Sequence, residues 1–369
     1  MTRQTRSQPT GTPAPTHTAV PTHTAVPTHT AVPTHTAAPT HTAAPTHTAA
    51  PTDTTARTGT SEPVAALARP AGTFAMVAMD QRDSLRTMMA EHTGTPRDDI
   101  GDARMTAFKL SVARALGPYA SALLIDRRYG FRELLDQRIL PGTCAPVLAV
   151  DTLTQEPGGP VTDTALDPAV NPAAAATAGV RALKLLVIWR RDRHRDSRVA
   201  TAARFVELCR AAGLASVLEP VARPTPEEEA DGSFRLNDAI VEAAAELAPL
   251  RPSLYKCQVP DGGAGTVSGL AAEAARIDAV VDVPWVVLSQ GVDPAAFPRA
   301  VEAACRAGAS GFLAGRALWT SALGAADPEA ALHGPCAERL RALGEIVDRH
   351  GRPWWDARPA GTRRGGDTA

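Results

Sequence analysis

The sequence has little of several things that common functions require. Only 4% of its 369 residues are aromatic, so a core must be assembled from alanine, valine and leucine, residues that suit a repeating strand–helix fold. Its five cysteines, Cys144, Cys209, Cys257, Cys305 and Cys336, are odd in number and form no C-x-x-C pair. That argues against a disulfide framework and a thiolate zinc site, and it fits a reducing cytoplasm. The formal net charge is -1, which leaves no basic surplus for nucleic acid. No uninterrupted run of about eighteen apolar residues occurs, so neither a transmembrane helix nor a membrane partner is expected. The first ten residues have no apolar run behind them, so no secretory signal is expected. Histidine is scarce beyond residue 63: only His92, His194, His333 and His350 occur, in no H-x-H or H-x-x-x-H spacing. A site of several imidazole ligands is therefore poorly supported, and neither metal nor cofactor is expected.

What is present falls into two materials. From Pro15 to Ala50 the hexad P-T-H-T-A-V/A is repeated. Proline at every sixth position interrupts helix and ladder alike, and too few large apolar side chains are there to offset the entropy of ordering. Residues 1–63 therefore read as a disordered repeat. Its histidines (His17, His23, His29, His35, His41 and His47) belong to a solvated tract grown by duplication or to a start assigned too far upstream; weak metal binding is the alternative. Residues 64–358 read as one folded domain and 359–369 as a disordered tail.

Within 64–358, short apolar runs alternate with amphipathic stretches. Strands are predicted at 73–79, 121–125, 145–150, 183–189, 215–218, 253–257, 285–288 and 311–313. Helices are predicted between most of them, as at 102–116, 198–212, 236–248, 267–280 and 295–307. Eight strand–helix units predict an α/β fold, the (β/α)8 TIM barrel. A doubly wound sheet is the alternative, but no G-x-G-x-x-G opens a helix after the first strand, and Gly263-Ala264-Gly265 reads as a turn.

A barrel of this kind does its chemistry at the C-terminal ends of its strands. Along 253–257 the side chains alternate, so Leu254, Lys256 and Gln258 share a face. An ammonium packed against helices would be costly, which turns Lys256 inward. A desolvated lysine, or one beside another cation, can lose its proton and attack a carbonyl; a lysine snorkelling at a strand end is the plain alternative. Lys184 sits in an apolar run. It either faces inward, where its charge would depress the pKa of Lys256, or reaches solvent at the bottom of the barrel. Glu219 ends the strand at 215–218, placed for proton transfer or for an ion pair with Lys184. Asp80 follows the first strand, as a hydroxyl ligand or a helix N-cap. At the last two strand ends Ser289, Gly291, Gly315 and Arg316 suit an anion: glycines admit backbone N–H groups and arginine offers a planar fork.

Six stretches carry a wider likeness: 74–82 (FAMVAMDQR), 182–190 (ALKLLVIWR), 218–220 (LEP), 254–256 (LYK), 284–289 (PWVVLS) and 309–317 (ASGFLAGRA). In this order they resemble the class I tagatose-bisphosphate aldolase family, and within it the sulfofructosephosphate aldolases. The resemblance implies Lys256 as the Schiff-base lysine, with Lys184 and Glu219 assisting. It implies Arg316 as the phosphate- or sulfonate-binding arginine, and Asp80, Gln81 and Arg82 as sugar-binding residues. It further implies a homo-oligomer acting on a sugar phosphate or sulfonate. Cleavage of 6-deoxy-6-sulfofructose 1-phosphate to dihydroxyacetone phosphate and sulfolactaldehyde is the activity it points to, with tagatose 1,6-bisphosphate as the other substrate. One position departs from the family: its motif has Glu two residues after the lysine, where this chain has Gln258. That departure keeps a non-catalytic sugar-phosphate-binding barrel open as the alternative. Transaldolase-like or deoxyribose-phosphate-aldolase-like chemistry would also use the lysine.

Overall fold

The computed structural model describes residues 62–357; the hexad repeat and the tail at 359–369 lie outside the described residues. Among the described residues ten strands occur in chain order: β1 Phe74–Met79, β2 Ala122–Asp126, β3 Ala145–Ala149, β4 Asp151–Thr154, β5 Asp163–Leu166, β6 Ala182–Trp189, β7 Ala215–Ala222, β8 Leu254–Cys257, β9 Trp285–Val287 and β10 Gly311–Ala314. Eight of them close into a parallel barrel in the order β1-β2-β3-β6-β7-β8-β9-β10, with β10 returning to β1. Helices such as Asp102–Leu116, Arg195–Ala211, Leu236–Leu247, Val267–Asp278 and Phe297–Ala307 cover the outside. The predicted TIM barrel is the observed fold.

The strands are buried on both faces, which is why they read as nearly continuous apolar runs. Alternate residues separate into two cores. Phe74, Met76, Ala182, Val217, Leu254 and Val286 fill the barrel interior, plugged from below by Val64 and Leu67. The intervening positions, among them Val77, Leu183, Leu218, Tyr255 and Val287, pack against the helices. Closure depends on one glycine. Gly311 has φ +143°, and a Cβ there would run into the backbone of Phe74 on β1, its register partner.

The antiparallel pair β4–β5 was not expected from the sequence. Its strands are short and half exposed, and the QEPGGPVT stretch at 155–162 reads as loop alone. Pairing made after β3 had left the barrel rim, not a periodic apolar signal, creates it. The N–H of Gly158 at its tip donates to Asp83 (2.7 Å), which ties the hairpin to the start of the helix Asp83–Thr93.

Candidate active site

Strand parity builds the site. On β1 the inward series Phe74, Met76, Ala78 continues to Asp80; on β6 Ala182 continues to Lys184; on β7 Ala215 and Val217 continue to Glu219; on β8 Leu254 continues to Lys256. The register puts Lys184 level with Val217, and Glu219 level with Leu186. Side chains from four strands thus meet above the apolar plug, at the C-terminal mouth, in a cavity of about 340 Å³.

Glu219 lies between the two lysines. Its Oε1 is 2.9 Å from Lys256 Nζ and its Oε2 is 2.8 Å from Lys184 Nζ. Lys184 Nζ also donates to Asp80 (2.8 Å) and Asp151 (3.3 Å). Both lysines are buried, at 2% and 3% exposure, so neither snorkels. Asp80 caps no helix either: Arg82 is the N-cap of Asp83–Thr93. Asp80, Gln81, Arg82, Lys184, Glu219, Lys256, Ser289, Gly315 and Arg316 all line the cavity.

Two expected residues do not. Gln258 is buried but turned away: its Oε1 accepts the N–H of Ala222 at 2.6 Å. The cause is a difference in strand length. β7 runs on to Ala222 while β8 stops at Cys257, so the Ala222 N–H has no ladder partner on that side and the carboxamide satisfies it. Alternation predicted an inward Gln258, but the Ala222 N–H left free by the shorter β8 draws its carboxamide aside. Gly291 also lies outside the lining; with φ +77° it serves the turn after β9.

Sequence reasoning missed Asp151 and Arg223, both of which line the cavity. Parity would have found them. Ala145, Val147 and Ala149 point inward and Asp151 comes next; Glu219 and Val221 point inward and Arg223 comes next. Asp151 is a hub: it accepts from Arg82 Nη2 (2.7 Å), from Lys184 and from the N–H of Leu186 (3.0 Å).

Residues 74–321 match a described family, DeoC/LacD family aldolase. The chain belongs to the DeoC/LacD family of aldolases. It is similar to tagatose 1,6-diphosphate aldolase of Listeria monocytogenes serotype 4a, with 27% identity over 322 residues, 78% of this chain and 91% of that protein. It is similar to tagatose 1,6-diphosphate aldolase 2 of Streptococcus pyogenes serotype M3, with 26% identity over 317 residues, 77% and 93% of the two chains. Among solved structures, fructose-bisphosphate aldolase from Plasmodium falciparum superposes with a TM-score of 0.58 at 14% identity, over 79% of this chain and 95% of that one. That likeness is one of fold. Among the described residues no helix is long and apolar enough to cross a membrane.

In this DeoC/LacD aldolase the ion cluster sets its own charge states. Burial alone would lower the pKa of Lys184, but Asp151, Asp80 and Glu219 outweigh it and raise that pKa well above 10.5. Lys184 therefore stays charged. Glu219 stands between Lys184 and Lys256 and contacts both ammonium groups. Burial would raise the pKa of Asp80, yet Lys184 and Lys256 hold it below the ordinary 3.8.

Two predictions follow from this cluster. The Asp80 contribution to stability is present above its unfolded pKa of 3.8 and is lost as the pH falls through the lower folded value. The Lys184 contribution is complete below 10.5 and is lost only as the pH rises through the folded value above it. Between about pH 5 and pH 9 these two contributions should be flat. Urea midpoints measured across pH test this, and Asp80→Asn should give a shallower acid limb. An acid limb as steep as that of the wild type would remove Asp80 from the account. Separately, Asp151→Asn keeps the shape but deprives Lys184 and Arg82 of one carboxylate. Breaking a buried pair costs about 3–5 kcal/mol, so a clear drop in urea midpoint is expected, together with lower turnover. A variant as stable as wild type would show that Asp151 is no hub.

Proposed function

We propose that this aldolase is a class I enzyme that cleaves a ketose 1-phosphate through a Schiff base on Lys256. The observation that carries the proposal is a buried lysine at a barrel strand end, 2.9 Å from a carboxylate that also contacts a second, permanently charged lysine. Neutral Lys256 attacks the C2 ketone, and Glu219 is placed to move the proton that the nitrogen sheds. Loss of water gives an iminium, which serves as the electron sink. A base removes the C4 hydroxyl proton, the C3–C4 bond breaks and the aldehyde leaves. The resulting enamine takes a proton at C3, and hydrolysis of the imine releases dihydroxyacetone phosphate and restores the amine. Glu219 is the group proposed for these proton transfers, while Lys184, which stays charged, donates to the substrate's oxygens. Asp80, Gln81 and Arg82 receive the sugar hydroxyls; Ser289, the Gly315 backbone and Arg316 receive the anion.

The six matching stretches of sequence favour 6-deoxy-6-sulfofructose 1-phosphate, with sulfolactaldehyde as the second product. The relatives named as tagatose 1,6-diphosphate aldolases favour tagatose 1,6-bisphosphate as the second reading. Both ketoses should be incubated with the protein and borohydride, and the intact mass and the modified peptide determined. An adduct on Lys256 is expected, and comparative cleavage rates then choose the substrate. No adduct with either sugar, in folded protein, would favour the non-catalytic binding barrel. A chain beginning near residue 60 should keep its activity if the barrel is a self-sufficient domain.

A further inference from the structure

The cavity wall carries more positive charge than its own carboxylates neutralise. Arg82 is held by Asp151, Lys184 by Asp80, Asp151 and Glu219, and Lys256 by Glu219. Asp83 turns to Arg97. Arg223 and Arg316 line the same cavity, and among the described residues neither side chain has an ion pair or hydrogen bond; the Arg223 Nε is buried without a partner. Each is penalised where it stands. Burial lowers the pKa of both, Arg190 lowers that of Arg223 further, and Arg223 lowers that of Arg316. Two partly buried guanidinium groups in one cavity, neither of them paired, favour an anion between them.

Their places in the barrel say which end of a substrate that is. Arg223 continues β7 by one residue, its N–H donating to Trp189 O at 2.9 Å. Arg316 opens the helix Arg316–Leu323 after β10, where the Gly315 N–H meets Ser289 Oγ at 3.3 Å. β7 and β10 lie on opposite sides of β8, which bears Lys256. The opposite wall, formed by Asp80, Arg82 and Asp151, is already neutralised and suits hydroxyl groups.

We infer that Arg223 is a second anchor for the substrate's C1 phosphate, closing with Arg316 a two-guanidinium clamp that selects a dianionic phosphate monoester at that end. The inference rests on the Schiff-base reading, because C1 is bonded to the carbon that Lys256 attacks. A planar fork from each side gives a phosphate more oxygen contacts than one arginine can.

The test is borohydride trapping by the full-length protein, titrated with dihydroxyacetone phosphate and with dihydroxyacetone. Wild type should reach half-saturation at a far lower concentration of the phosphate. In Arg223→Ala the ratio of the two half-saturating concentrations should shrink by about 10- to 100-fold, the scale of one lost charge-assisted contact. Arg223→Lys, which keeps the charge but not the fork, should fall between and covers the case in which the alanine variant does not fold. A ratio unchanged from wild type in both variants overturns the clamp, whether trapping of the two ketones falls together or stays as it was. If wild-type protein traps neither ketone, the Schiff-base reading fails, and calorimetry with inorganic phosphate still decides the clamp: binding weakened by Arg223→Ala supports it, and equal binding overturns it.

Discussion

Lys256→Met should form no borohydride-stable adduct with either ketose and should cleave about 10⁴-fold more slowly than wild type, the scale of loss when a covalent nucleophile is removed. Methionine matches the length and apolar stem of lysine, and Lys256 is flanked in the interior by Leu254 below it, so the packing around the stem is kept. The electrostatic change is local. Glu219 loses the partner at its Oε1 but keeps Lys184 at its Oε2, so the carboxylate stays paired and the barrel should remain folded by thermal melt. Peptide mapping separates the two lysines. An adduct on Lys184 in the variant, with cleavage retained, would move the nucleophile from β8 to β6 and end the assignment. Lys184 is a poor candidate for that role because three carboxylates keep it protonated, and only the neutral amine attacks a carbonyl.

Glu219→Gln should be the second most damaging change, for two separable reasons. The carboxamide is isosteric but presents N–H groups toward at least one ammonium, and among the described residues Lys256 has no other carboxylate partner. Lys184 is less exposed to the loss, since Asp80 and Asp151 remain. Removing one member of a buried ion cluster costs roughly 3–5 kcal/mol, which should appear as a lowered urea midpoint. A positioned acid or base contributes about 10²- to 10⁴-fold, and turnover should fall within that range. Single-turnover measurement distinguishes the two effects: slow adduct formation in protein that is fully folded at the assay temperature identifies proton transfer. A variant that is destabilised yet turns over normally would reduce Glu219 to a structural partner of Lys184.

The barrel was legible in the sequence because its strands are buried on both faces and its helices on one. Apolar runs of a few residues at 74–79, 183–189 and 215–218 have few other homes, and their alternation with amphipathic segments specifies the layers. The site was legible where parity continues an unbroken strand: Asp80, Lys184, Glu219 and Lys256 each follow an inward apolar residue by two positions. Asp151 and Arg223 obey the same rule. They were missed because the strands preceding them were taken to stop at residues 150 and 218, whereas inward alternation persists beyond both points. Gln258 departs from the rule because its carboxamide is taken up by the Ala222 N–H on β7.

The amino-acid order by itself determined which residues could face inward, since alternation is a property of the chain alone. It thereby determined the fold class and the set of ionisable groups at the barrel mouth. Only the tertiary structure decided how those groups share charge. That Glu219 bridges both lysines, that Asp151 neutralises Arg82 and Lys184 together, and that Arg223 and Arg316 have no ion-pair partner among the described residues on either side of β8 all depend on the stagger of neighbouring strands and on where each one stops. Coulombic interaction falls off with distance through space, and residues more than a hundred positions apart, such as Asp80 and Lys184, become partners only when the barrel closes.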